Sequence, residues 1–199
     1  MATTAAPYGL RPVNLIGGRP YAGSTREIKI ASGYAANIFN GDVVQVHTDG
    51  TITKVTNVGT NADAFPAGTV GIFVGCAYTD AVSGLRTQNY WPSGTVASDA
   101  VAYVVDDPNA LFMIQADDAI AQTGLHKNFA VNQTAGSTAT GNSRISLDVA
   151  TGATTATIAF KVVDFVESTS STAGDAYTDV LVKFNPSSHA YTAGLGVAD

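Results

Sequence analysis

Charge is scarce in this chain and cysteine nearly absent: of 199 residues, 13% are Asp, Glu, Lys or Arg, and Cys76 stands alone. One thiol excludes an intramolecular disulfide framework and any Cys-rich metal cluster. Cys76 closes the apolar run 70–76 and reads as core filler, because a reactive thiol needs an exposed, electropositive setting. No uninterrupted apolar stretch reaches about 18 residues, which excludes a membrane-spanning helix, and helix-period amphipathic stretches are nearly missing. The first six residues offer neither a basic nor an apolar segment of the kind a secretory leader uses, so synthesis in the cytoplasm is expected. Basic residues are outnumbered, with a net charge of −6 and a pI near 4.8. A nucleic-acid binder needs a dense Lys/Arg footprint to displace counterions from phosphates, so DNA and RNA are not expected partners.

Catalytic signatures are missing as well. There is no G-x-S-x-G elbow, and Gly71 and Gly75 have neither the Lys nor the following helix of a phosphate-cradling loop. His47, His126 and His189 are scattered and read as surface or packing residues. The acid pairs Asp106-Asp107 and Asp117-Asp118 would point to opposite faces of a strand. The run Asp106-Asp107-Pro108-Asn109 reads as a turn in preference to a calcium site, since its spacing does not match an EF-hand loop. No catalytic, metal or cofactor site is expected. Trp91 reads as core or interface, because large aromatics are seldom left exposed.

What is present is β-forming sequence. Hydrophobic residues make up 45% of the chain, and much of the rest is Thr, Ser, Asn and Gly. A typical domain carries about 25% charged residues, so a low-charge, Thr-rich surface points to coverage by partners. Residues 1–26 hold Pro7, Pro12, Pro20 and four glycines around isolated apolar groups, which reads as an extended arm that stays loose unless it lies on its own body or on a neighbouring subunit. Arg11, Arg19 and Arg26 give the arm +3 with no acid, leaving 7 basic against 16 acidic groups, or −9, for residues 27–199. The candidate partner-binding residues are therefore Tyr8, Leu10, Arg11, Val13, Leu15, Ile16, Arg19, Tyr21 and Arg26.

From residue 27 to 185 strand-like runs follow one another as a single β-rich domain, roughly ten of them, with β-branched and aromatic residues alternating against polar ones. The clearest hairpin pairs 43–46 with 51–55 across Asp49-Gly50. Val70, Ile72 and Val74 with glycines at 71 and 75 predict a strand that another backbone approaches closely. Further runs lie at 88–91, 101–105, 111–115, 145–149, 157–166 and 180–184, and residues 34–39 suit one short helical turn before the tight turn Asn40-Gly41. Residues 132–143 and 167–175 read as exposed loops, and 186–199 as an irregular tail with Tyr191, Leu195 and Val197 available for docking. The fold expected is mostly β: an antiparallel barrel or sandwich with an N-terminal arm and a C-terminal tail.

Four blocks resemble a known family: Ala6-Pro7-Tyr8-Gly9-Leu10-Arg11-Pro12-Val13; then Ile28-Lys29-Ile30-Ala31-Ser32-Gly33-Tyr34-Ala35-Ala36-Asn37-Ile38-Phe39-Asn40-Gly41-Asp42-Val43-Val44; then Gly71-Ile72-Phe73-Val74-Gly75-Cys76; and Val182-Lys183-Phe184-Asn185. Together they are similar to the small structural proteins of marine and freshwater tailed phages, among them the capsid decoration or cement proteins of cyanophage heads. The resemblance implies a homotrimer on the outside of the virion, with the major capsid protein and sister copies as partners and neither nucleic acid nor membrane. The cationic arm would then grip an acidic neighbour. Other readings are a tail or neck component, a carbohydrate-binding module centred on Tyr90, Trp91 and the 132–143 loop, and an enzyme using Asp117 or Asp118.

Overall fold

The computed structural model describes residues 4–169, 171–194 and 196–197. The chain is mostly β, in antiparallel sheets consistent with a β-sandwich and not closed into a barrel. Fifteen strands occur among the described residues. The larger sheet has seven, in the order β13 (Ser146–Ala153), β12 (Asn128–Asn132), β14 (Phe160–Phe165), β15 (Asp179–Phe184), β11 (Ala110–Gln115), β1 (Arg11–Leu15) and β2 (Arg19–Pro20). The second sheet runs β3 (Arg26–Lys29), β10 (Val101–Val105), β7 (Thr69–Asp80), β5 (Val43–Val46) and β6 (Ile52–Lys54), with β8 (Gly84–Gln88) paired to β7 beside that path. A small pair, β4 (Ile38–Phe39) and β9 (Tyr90–Trp91), completes the set. Single bridges, Ala116 with Leu147 and Ile30 with Ile52, curl each large sheet without closing it.

Two cores result. The first lies against the seven-stranded sheet: Phe112, Ile114, Phe160, Val162, Val180 and Val182 point inward with Phe184, whose ring sits 4.6 Å from that of Phe160. The second occupies the other side of the six-stranded sheet and gathers Ile38, Phe73, Cys76, Trp91 and Val104. Central strands feed both. Val43 and Ile72 enter the first core while Val44 and Phe73 enter the second, which is why 70–76 reads as a continuous apolar run rather than an alternating one. The close approach expected at its glycines is present, since a Cβ on Gly71 would meet the Val105 carbonyl oxygen and one on Gly75 would lie 3.1 Å from that of Gln88.

The arm is not free coil. Residues 11–15 pair with β11 across a register shift at Pro12 and Asn14, and Arg19 and Pro20 pair back onto β1. Just before them Gly9 donates to the Ile145 carbonyl at 3.2 Å and Leu10 to that of Gly41 at 3.0 Å. Gly9 has φ +77°, and a Cβ there would press on Ser143, so only glycine suits the crossing. Residues 34–39 form no helical turn; they bend into β4, because Asp42 accepts the Phe39 amide at 2.9 Å and folds 39–42 into a turn tied to β7. The Asp49-Gly50 hairpin forms as expected, with Val46 opposite Ile52. The tail contains a short helix, α1 (Ala190–Ala193), and docks on the body: His189 is buried and the Tyr191 hydroxyl donates to Asp106 at 2.8 Å. Residues 1–3, and Leu195 of the tail, lie outside the described residues.

Candidate interaction face

Cross-strand register decides which side chains share the outer surface of the seven-stranded sheet. Val180, Val182 and Phe184 face the core, so Leu181 and Lys183 face outward. Register sets Arg11 beside Met113, Met113 beside Leu181, and Lys183 directly opposite Lys161. Like charges at directly opposite positions add nothing to a sheet's stability. The Lys183 ammonium donates to Asn109 at 3.4 Å. Among the described residues no ion pair involves Lys161. Ile16, Val163 and His126 border the two lysines in a groove of about 230 Å³. The groove itself is cationic and partly apolar on a chain whose net charge is −6, while Asp179 and the exposed Asp164 stand elsewhere on the same face.

The arm supplies one side of this surface, and its residues divide by what they touch. Leu10 is fully buried in the chain's own first core, and Leu15 and Tyr21 pack against the same core. Tyr8 donates its hydroxyl to Asp179 at 2.8 Å, and burial first, then the Asp179 charge, push its pKa upward. Arg26 pairs with Asp106 at 2.5 Å and lies over the Tyr191 ring. Their interaction capacity is spent within the chain. Arg11, stacked on the Tyr8 ring at 4.4 Å, stays exposed together with Val13, Ile16 and Arg19. The arm as read from sequence thus contracts to these four residues as an outward-facing station.

The chain matches no family model, no curated protein and no solved structure.

The remaining candidate groups are structural. Trp91 is fully buried, with its indole 5.3 Å from the Tyr78 ring and its Nε1 donating to Tyr34 at 3.4 Å, so it cannot serve as an exposed sugar platform. Tyr90 stacks on Phe39 at 5.6 Å. Burial pushes the Cys76 thiol up to about 12, and its Sγ donates to the Tyr90 carbonyl, an inert core setting. Asp117 spends both oxygens on Asn132 and the Val149 amide, and Asp118 accepts the Ala119 amide. Asp107 caps the turn that leads to Ala110. Loop 132–143 is only partly exposed: Ser143 is fully buried, and the ring of Phe39 lies against Gly136.

Sequence reasoning missed Lys161 and Lys183, because their juxtaposition depends on a register between runs about twenty residues apart. It also missed the β7–β8 hairpin, where Val82 and Leu85 are 95% and 75% exposed. The signal was present in the second case as two bulky aliphatic residues flanking Ser83-Gly84.

Proposed function

We propose that this chain is a non-enzymatic virion structural protein, a capsid decoration or cement subunit that seats on the outside of a tailed-phage head and stabilises its coat lattice. The observation that carries this reading is the outer face of the seven-stranded sheet, where Arg11, Val13 and Ile16 stay exposed and Lys161 and Lys183 make no ion pair among the described residues. Such a face suits protein contact, in which charge steers and apolar side chains hold. The low overall charge and the resemblance in the opening and 28–44 blocks support the same reading. In the mechanism, packed DNA loads the coat outward, and subunits that bridge neighbouring coat molecules add contacts across joints that would otherwise part, multiplied by avidity.

Purified chain added to heads lacking it provides the test. Because Leu10 and β1 are part of the fold, deleting residues 1–26 would unseat the core, so the informative variant is Arg11→Glu with Arg19→Glu, both exposed. Head affinity should fall about tenfold or more, more steeply at low salt. Unchanged occupancy would remove the arm as the gripping element.

A further inference from the structure

Two exposed features on different sheets have complementary chemistry. One is the groove between Lys161 and Lys183, with Ile16 and Val163 at its sides. The other is the tip of the β7–β8 hairpin, where Thr79 pairs with Leu85 and Asp80 with Gly84, leaving Val82 and Leu85 projecting into solvent. Two carboxylates lie beside the knob. Asp80 accepts the amides of Ser83 and Val82 at 2.7 and 3.0 Å, and Asp99 accepts the Thr79 hydroxyl and amide. These donors hold both carboxylates below the usual range, so the knob stays anionic. Arg86 is the one cation on the hairpin, and it donates to Ser83.

We infer that the β7–β8 hairpin of one copy docks into the Lys161–Lys183 groove of the next copy, head to tail. Val82 enters beside Ile16 and Val163, while Asp80 or Asp99 lies between the two ammonium groups and relieves their repulsion. The volume of about 230 Å³ exceeds that of one aliphatic side chain. A pairing of two hairpins through their free β8 edges is the competing arrangement. It is disfavoured, because a twofold axis through the middle of Gly84–Gln88 sets Arg86 against its own copy. Knob and groove are different patches, so the contact is heterologous, and it builds a closed ring if the rotation closes. The inference rests on the reading of the chain as a self-associating structural subunit, and it names the surfaces that associate.

Sedimentation of the full chain tests it. Wild-type protein should self-associate, as a closed ring or as an open head-to-tail series, whereas Val82→Asp with Leu85→Asp, and separately Lys161→Glu with Lys183→Glu, should each weaken self-association about tenfold or more. An equimolar mixture of the two variants should give a 1:1 heterodimer and stop there, since one knob and one groove remain. Circular dichroism confirms that each variant is folded, and Lys161→Gln with Lys183→Gln replaces the charge reversal if that variant unfolds. A monomeric wild type, a groove variant that still self-associates, or a folded mixture that stays monomeric would each overturn the inference. Head binding measured on the same proteins separates the two claims: occupancy retained by a monomeric wild type leaves decoration standing while this contact falls.

Discussion

Asp42 carries a carboxylate wholly excluded from solvent, and its neighbours explain how it is tolerated. Its Oδ2 accepts the Phe39 amide and meets the Lys54 ammonium at 2.9 Å, while Oδ1 has no partner among the described residues. A buried pair of this kind adds little net stability, yet removing one member strands the other. Lys54→Met should therefore cost about 3–5 kcal/mol in urea unfolding, far more than an exposed lysine such as Lys127. His189 sets the pH response. Burial drives its pKa down, against the opposing charges of Asp106 and Asp107 and the nearby Val70 and Asp106 backbone. The folded-state pKa thus lies below the unfolded value near 6.5. Above about pH 6.5 the ring is neutral in both states and contributes no slope; as pH falls below that, the unfolded chain takes the proton first and stability is lost. The thermal midpoint should drop between pH 7 and 5, and His189→Phe should flatten that part of the profile.

Elements differ in how plainly the sequence announces them, and the difference follows from where their partners lie. The β5–β6 hairpin was legible because Asp49-Gly50 and the alternation on either side are local, β10 and β15 were legible from β-branched runs, and β11 from the apolar run 111–114. The strand β1 was not, since Pro12 breaks its pattern and its partner β11 lies nearly a hundred residues on. β12, five residues with Asn at both ends, offers no alternation. The helical turn expected at 34–39 lost to the Asp42 turn and to burial of Ile38 and Phe39. Of the interaction face, the arm's charge and apolar content were readable, whereas the Lys161–Lys183 opposition needed the register. Leu10→Ala should cost about 2–5 kcal/mol, because Leu10 is a core residue and not a free contact. Gly71→Val should be still more damaging, since φ is +152° and the Val105 carbonyl blocks a Cβ. Denaturant midpoints measure both.

Taken whole, the molecule devotes its polar budget unusually. Two cores and a sheet buried on both faces supply stability without disulfides, and the outer surface is left with few charges and with apolar residues at separate stations, among them Val13 with Ile16 and Val82 with Leu85. A subunit that must touch several neighbours at once requires more than one such station. A decoration subunit is a repeated part of the phage head, so the proposal stands or falls on its copy number, counted against major capsid protein in purified virions. On the order of hundreds of copies per particle are expected, in fixed ratio to the coat. Absence from the virion, or about a dozen copies or fewer, would contradict it.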